Sequence, residues 1–173
     1  MISKLDENDF KTAIGVKLIK FKRMTKTEYC AIICRFVVSN EEEGYLVKYP
    51  DGYTTWSPKT VFESTYYEIE NSNRITRADV LKFISKVKPI KIDDKTTLVS
   101  ATTIVGYTHH ETSSCVDPLE YNHDLGYKYA LDKIIDKVWE SLGFLLQFAK
   151  FGIKRNDGEV VNLLCDNGTD SVK

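Results

Sequence analysis

The chain has 173 residues, 42% of them hydrophobic, and twenty-four basic side chains stand against twenty-five acidic ones for a net charge of −1. That is apolar material enough for one domain or two small ones, and the charge balance excludes a global field for nucleic acid or an anionic membrane, so any anion site must be local. No apolar run approaches the roughly 18 residues of a membrane span, and Asp6, Glu7 and Asp9 follow Met1 where a signal peptide would carry its apolar core; the expectation is a cytosolic protein.

From Lys17 to Lys26 the chain carries Lys17, Lys20, Lys22, Arg23 and Lys26 without one acid, and Glu41, Glu42 and Glu43 then form a patch of opposite sign. Val16 to Phe21 alternates apolar and basic side chains with one slip, which predicts an edge or half-buried strand containing a bulge. Cys30 and Cys34, four residues apart in CAIIC, read as buried thiols on one helical face or side by side in a buried segment. With Cys115 and Cys165 they are expected to be free in a reducing compartment. His109, His110 and His123 do not form pairs at zinc-ligand spacing with them, so no metal and no cofactor are expected.

Tyr45 to Tyr49 is rich in strand formers, Pro50-Asp51-Gly52 has turn chemistry, and Tyr53 to Trp56 supplies the return strand of a hairpin. Ser57 is expected to cap a short helix with Pro58 in its first position, carrying Val61, Phe62 and Tyr66 to a core. The first unit closes near Glu70, and Asn71-Ser72-Asn73 is the candidate boundary.

Thr76 and Asp79 have the spacing of a capping box, and Ile75 and Val80 that of a hydrophobic staple, so a helix starts at Thr76. Val80, Leu81, Ile84 and Val87 then read as its apolar face, with Pro89 as its stop. Thr97 to Ile104 and Tyr107 to Ser113 are two strands joined at Gly106, and Cys115-Val116-Asp117-Pro118 breaks the second. Asp124 is placed as the cap of the longest helix, about Leu125 to Lys150, whose Leu131, Ile134, Ile135, Val138, Leu142, Leu145 and Leu146 recur at helical spacing. A last hairpin is expected around Asn156-Asp157-Gly158. The fold class is therefore α+β: two small units, each a short antiparallel sheet or hairpin packed on one or more helices, at 1–70 and 71–150, followed by a tail at 151–173.

ETSSCVDPLEYNHDLGYKYALDKIIDKVWESLGFLL resembles a small family of tailed-phage proteins in which a strand ends in S-S-C-V-D-P and a helix closes on K-x-W-x-x-x-G-[FY]-L-L. Ser113, Ser114, Cys115, Val116, Asp117, Pro118, Tyr121, Gly126, Lys137, Trp139, Gly143 and Leu145 carry the likeness. IGVKLIKFKRMTKTEY and GYLVKYPDGYTTWSPKTVFESTY are similar to a second phage module, G-T-K-x-I-K-A-x-P-M-T-R-x-E-Y followed by G-Y-L-V-x-Y-x-D-G-Y-x-S-W-S-P. Here Phe21 replaces its Ala, Arg23 its Pro, and the aromatic after Tyr29 is displaced to Phe36, departures that bear on residues 21–36. That module is also found joined to proteins similar to a Thoeris anti-defence family, and GYTTWSP leading to FESTYYEI looks like that family's closing strand and helix. The resemblance implies a phage protein of the host cytoplasm that captures a host immune nucleotide, of cyclic oligonucleotide or cyclic ADP-ribose type, without cleaving it.

Such a protein needs cations for phosphates, aromatic faces for bases and polar groups for ribose and base edges. The candidate ligand-binding residues are Lys17, Lys20, Arg23, Tyr53, Trp56, Tyr107, Ser113 and Ser114. The competing readings are a solvated edge-strand face for the lysines, core packing for Trp56, and a satisfied strand end for the serines. No catalytic residue is assigned, because His109 and His110 precede Cys115 on the same strand with side chains on opposite faces, and no Walker loop, Rossmann fingerprint, H-E-x-x-H or paired C-x-x-C is present. A small phosphorylated nucleotide and further copies of the chain in a closed homo-oligomer are the expected partners, with no membrane. The alternative is an accessory module binding a host protein or nucleic acid, the latter disfavoured by the balanced charge.

Overall fold

A β-hairpin organises the N-terminal half: β2 (Gly44–Lys48) turns through Pro50-Asp51-Gly52 into β3 (Thr54–Pro58). Gly52 sits at φ +89°, a backbone conformation that a side chain disfavours, and Tyr49 and Tyr53 close the turn by backbone hydrogen bonding. The computed structural model describes residues 14–33, 36 and 41–153. The proposed hairpin around Asn156 and the burial of Cys34 lie outside the described residues.

β1 (Lys20–Arg23) adds antiparallel to β2 and completes a three-stranded sheet in the order β1-β2-β3. The strand is shorter than Val16–Phe21 suggested, and its pairing with β2 runs from Lys20↔Lys48 to Arg23↔Tyr45 without a bulge. The seven residues after Thr25 form a helix, the helical one of the two readings for the Cys30 segment. Thr25 and Glu28 make a reciprocal capping box that starts α1 (Lys26–Ile32). Cys30 lies on this helix half-buried, and none of the helix's residues is fully buried.

α2 (Lys59–Thr65) follows β3 directly. Ser57 does not cap it: Ser57 and Pro58 are the last residues of the strand, Pro58 holds the cap position without a side-chain bond, and the Ser57 hydroxyl donates to the Pro58 carbonyl at 3.4 Å. Phe62 brings the helix onto the sheet, stacked on Tyr45 at 4.2 Å between ring centroids and tilted against Phe21 at 4.8 Å. With Val47 these rings form the first core.

The second core is larger. Thr76 caps α3 (Arg77–Phe83) with Asp79 in the anticipated capping box, and the staple residues Ile75 and Val80 are both buried in the core. The helix then stops at Phe83, six residues before Pro89. Ile84 to Lys91 is not its continuation but β4, an edge strand in the order β4-β5-β6 with β5 (Thr96–Thr103) and β6 (Thr108–Ser114). Ile84, Val87 and Ile90 suit a helical stripe by spacing, but they are β-branched and pair with Thr103, Ala101 and Leu98 across the ladder. A register shift between Ile84 and Lys86 bends the chain into the sheet, and Pro89 is tolerated because among the described residues no strand pairs on the outer side of β4. Leu81, assigned to the buried face, is 48% exposed.

β5 and β6 match the anticipated strands within one residue, turning at Gly106 with φ +84°. A 3-10 turn at Pro118–Glu120, capped by Asp117, leads to α4 (His123–Phe151). Asn122 caps this helix through Oδ1, which accepts from the Leu125 N–H at 3.0 Å; Asp124 lies inside the first turn. Ala130, Ile134, Ile135, Val138 and Leu142 pack on Val99, Ala101, Val80 and Phe83. Lys133 donates to the Thr112 carbonyl at 2.9 Å and Lys137 pairs with Glu111, which ties the helix to β6. The architecture is α+β, with two antiparallel sheets each packed against helices.

Candidate functional site

The chain passes from the first core to the second between Tyr66, which packs with Phe62, and Tyr67, which packs with Phe83. Asp79 holds the crossing in place. Its carboxylate accepts the Glu70 N–H at 3.1 Å and the Thr76 N–H at 2.8 Å, while the Tyr67 hydroxyl donates to its carbonyl at 2.6 Å. Burial pushes the Asp79 pKa up, but the hydrogen bonds from Thr76 and Glu70 and the nearby Lys82 charge outweigh it, and the group stays below the ordinary aspartate range.

A groove of about 670 Å³ lies between the cores, within the size range of small-molecule sites. One wall comes from the segment Val16 to Phe21, with Lys48, Tyr49 and Pro50; the other from Ile75, Phe83 and Val105 with Leu142, Leu145, Leu146, Ala149 and Lys150 of α4. Tyr66, Tyr67, Glu68 and Ile69 close it along the crossing segment. The lining is therefore largely apolar and aromatic, and it includes four lysines, Lys17, Lys20, Lys48 and Lys150, and one acid, Glu68.

The Tyr49 and Tyr66 hydroxyls lie 3.2 Å apart, and Lys17 Nζ is 5.6 Å from the Tyr49 ring centroid. The bond to Tyr49, reinforced by burial, pushes the Tyr66 phenol up to about 12. Burial, then the negative charges of Asp79 and Glu70, raise Tyr67 as well. Both phenols stay protonated near neutral pH, and the pair at Tyr49 and Tyr66 can lend an O–H donor to an anion. Lys150 Nζ donates to Asn73 Oδ1 at 2.5 Å across the mouth.

Of the residues singled out from sequence, Lys17 and Lys20 line this groove. Tyr53 stands at the hairpin tip, 62% exposed, its ring 5.9 Å from that of the groove residue Tyr49. Arg23 faces a separate pocket of about 200 Å³ beside Glu28, Glu43 and Lys59. Trp56 is half-buried and donates through Nε1 to the Met24 carbonyl at 2.8 Å, with Lys26 above its ring; it joins β3 to the chain before α1.

Tyr107 is 64% exposed at the start of β6 and meets His109 edge-on. Ser113 and Ser114 occupy the opposite end of the strand, about 20 Å away at the rise of an extended chain. Ser114 shares a hydrogen bond with Thr96 at 2.8 Å, and Ser113 stands opposite the buried Thr97. Thus the structure gathers Lys17 and Lys20, brings Tyr53 near them, and spreads the rest.

Lys48, Lys150, Tyr49, Tyr66 and Tyr67 were not singled out. Tyr49 could have been, since strand alternation in GYLVKY returns it to the face of the buried Tyr45 and Val47, whereas Lys48 falls on the other face. Lys150 gives no such signal, because only the packing of α4 brings it here.

His109 and His110 point to opposite faces of β6, as strand geometry requires. His109 is half-buried, with its pKa lowered by burial and then by Lys137, and His110 shares a hydrogen bond with Ser100 at 2.8 Å. The Cys115 thiol donates to the Asp117 carbonyl at 3.1 Å. Among the described residues no three His, Cys, Asp or Glu side chains cluster as a metal site would require, and no helix is long and apolar enough to cross a membrane.

Residues 68–149 match the phage protein (N4 Gp49/phage Sf6 gene 66) family. The matched segment runs from Glu68 through α3, β4, β5 and β6 to the last turn of α4 and contains every buried residue of the second core. The likeness to a phage protein read from S-S-C-V-D-P and the closing helix falls inside it. No curated protein and no solved structure matches the chain.

Proposed function

We propose that this protein binds a phosphorylated nucleotide reversibly in the groove between its two cores and releases it unchanged. In an infected cell it would act in the host cytoplasm, withdrawing an immune signal of cyclic oligonucleotide or cyclic ADP-ribose type from the host. The observation that carries this reading is that one groove is lined both by Lys17, Lys20, Lys48 and Lys150 and by Phe21, Tyr49, Tyr66, Tyr67 and Phe83. Ammonium groups and protonated phenols suit phosphate oxygens, and aromatic faces suit bases. The likeness of the first unit to a module joined to Thoeris anti-defence proteins points the same way, and a closed oligomer would let several copies share the task.

Thermal melts of the full chain with cyclic dinucleotides, cyclic trinucleotides and cyclic ADP-ribose isomers test it. A ligand at a hundredfold excess over Kd adds about 2.7 kcal/mol to native stability. The shift should vanish in a Lys17→Met/Lys20→Met variant that still melts cooperatively, and mass spectrometry should recover the nucleotide intact. No shift with any member of the panel refutes the proposal.

A second reading, binding of a nucleic-acid backbone, draws on Lys20, Lys22 and Lys48, which occupy one face of the β1–β2 ladder. It requires retention on DNA or RNA that falls by orders of magnitude between about 50 and 200 mM salt.

A further inference from the structure

Tyr49 follows β2 and Tyr66 follows α2, and their hydroxyls meet at 3.2 Å in the lining of the groove. Strand alternation returns Tyr49 to the face of Tyr45 and Val47, and the ring of Tyr66 lies 5.0 Å from that of Phe62, so both phenols rest on the first core. Two phenols carry two O–H protons. Their mutual bond uses one, and the other points away from the pair, whichever ring carries it. Among the described residues neither hydroxyl has a second partner, so this proton is available to an acceptor held in the groove.

The Lys17 ammonium lies 5.6 Å from the centroid of the same Tyr49 ring, and its flexible arm lets it turn toward the hydroxyls. A neutral donor and a cation thus share one corner of a largely apolar lining. The donor is present at neutral pH: the Tyr66 phenol is pushed up to about 12, chiefly by its bond to Tyr49, and does not become an anion that would repel a negative ligand.

We propose that the Tyr49–Tyr66 hydroxyl pair and Lys17 form the phosphate subsite of the groove and take the two non-bridging oxygens of one phosphodiester. An O–H and an N–H donor match the two oxygens, and one ammonium matches the single negative charge that such a group carries. Because either phenol can release the outward proton, the pair follows the anion across both hydroxyls without moving a ring. The rest of the ligand then lies along the aromatic and aliphatic lining. That the phosphodiester belongs to a nucleotide rests on the reading above; the subsite does not.

Dimethyl phosphate, a phosphodiester without base or sugar, separates the two. It is titrated into the full chain, Tyr49→Phe, Tyr66→Phe, the double variant and Lys17→Met, with tyrosine ring signals followed by NMR. It should shift the ring signals of Tyr49 and Tyr66 in the parent, and neutral trimethyl phosphate should not. Each single Phe variant keeps one O–H, freed from the mutual bond, and should weaken binding at most about threefold, whereas the double variant should weaken it about 10- to 100-fold, as loss of a hydrogen bond to a charged group does. Lys17→Met should weaken it to a similar degree. Ultraviolet titration checks the pair without ligand: in Tyr49→Phe the Tyr66 phenol should titrate below the parent's value of about 12, while burial still holds it above that of a free tyrosine. If the double variant loses its cooperative melt, Lys17→Met decides alone. No response of the parent to dimethyl phosphate, an equal response to trimethyl phosphate, or undiminished binding by either the folded double variant or Lys17→Met overturns the subsite. Nucleotide binding that survives these changes overturns the subsite and spares the proposed function; dimethyl phosphate binding lost in them, in a chain that binds no nucleotide, sustains the subsite and sinks the nucleotide reading.

Discussion

Replacing Asp79 by Ala should cost the fold about 2–4 kcal/mol, and the sum follows from named bonds. Asp79 is 0% exposed and completes the capping box of α3, accepting from the Thr76 N–H at 2.8 Å and from its hydroxyl at 2.9 Å. Loss of an N-terminal cap typically costs about 1 kcal/mol. The same carboxylate accepts the Glu70 N–H, and a part-buried donor stranded by the change costs a further ~1–3 kcal/mol. For a chain of this size each kcal/mol lowers the melting temperature by about 2–4 °C, so urea titration and calorimetry should agree on a fall of roughly 5–15 °C.

Asp79→Asn should lose less, because one oxygen remains, but its amide would turn a donor toward one of the two N–H groups. The acid limb carries the same information. The folded pKa lies below the unfolded value of about 3.9, so Asp79's contribution is fully present above that value and is lost as pH falls through the folded pKa. The gap between the parent and Asp79→Asn should therefore narrow below about pH 4. Because Glu70 and Tyr67 are anchored on Asp79, the change should also weaken ligand capture by loosening the crossing wall. A loss under about 1 kcal/mol, with the cap and the stranded N–H both accounted for, would refute the reasoning.

Gly126→Ala should destabilise although alanine favours a helix by about 1 kcal/mol, because overpacking costs about 1–3 kcal/mol. Its Cβ would stand 2.6 Å from Thr97 Oγ1, which is fully buried and hydrogen-bonded to the Tyr121 hydroxyl at 2.8 Å. A melting temperature at or above that of the parent would show that Thr97 yields freely. Cys115→Ser should keep stability within about 1 kcal/mol and leave any nucleotide-induced shift unchanged, since a serine hydroxyl can donate to the Asp117 carbonyl as the thiol does. Loss of the shift with an unchanged melt would return the thiol to the functional site.

Local chemistry made much of this protein legible from its sequence. Turn residues marked the hairpin at Pro50-Asp51-Gly52, a Thr and an Asp three apart marked the start of α3, and apolar spacing over many turns marked α4. Each of these signals resides in residues a few positions apart, so its energetics are complete before the chain folds. Signals failed where the same spacing serves two structures. Val80, Ile84 and Val87 fit a helical stripe, and the choice of strand after Phe83 was made by β5, which offers Ile84 and Val87 the partners Thr103 and Ala101. The cap of α4 fell to Asn122 and not Asp124 because the 3-10 turn after Asp117 sets where the helix begins.

The candidate site divides in the same way. Lys17 and Lys20 announce themselves as cations of a basic stretch, and Tyr53 as an aromatic on a hairpin tip. That Lys48 stands opposite Lys20 is decided by the register of β1 on β2, while Lys150 reaches the mouth and Phe83 the floor only because two separately built cores leave a groove between them. Composition and periodicity determined the α+β class and most of its elements, because those depend on each segment's own polar and apolar faces. Which lysines and which rings line one groove depended on contacts between segments remote in the chain, and those form only in the tertiary structure.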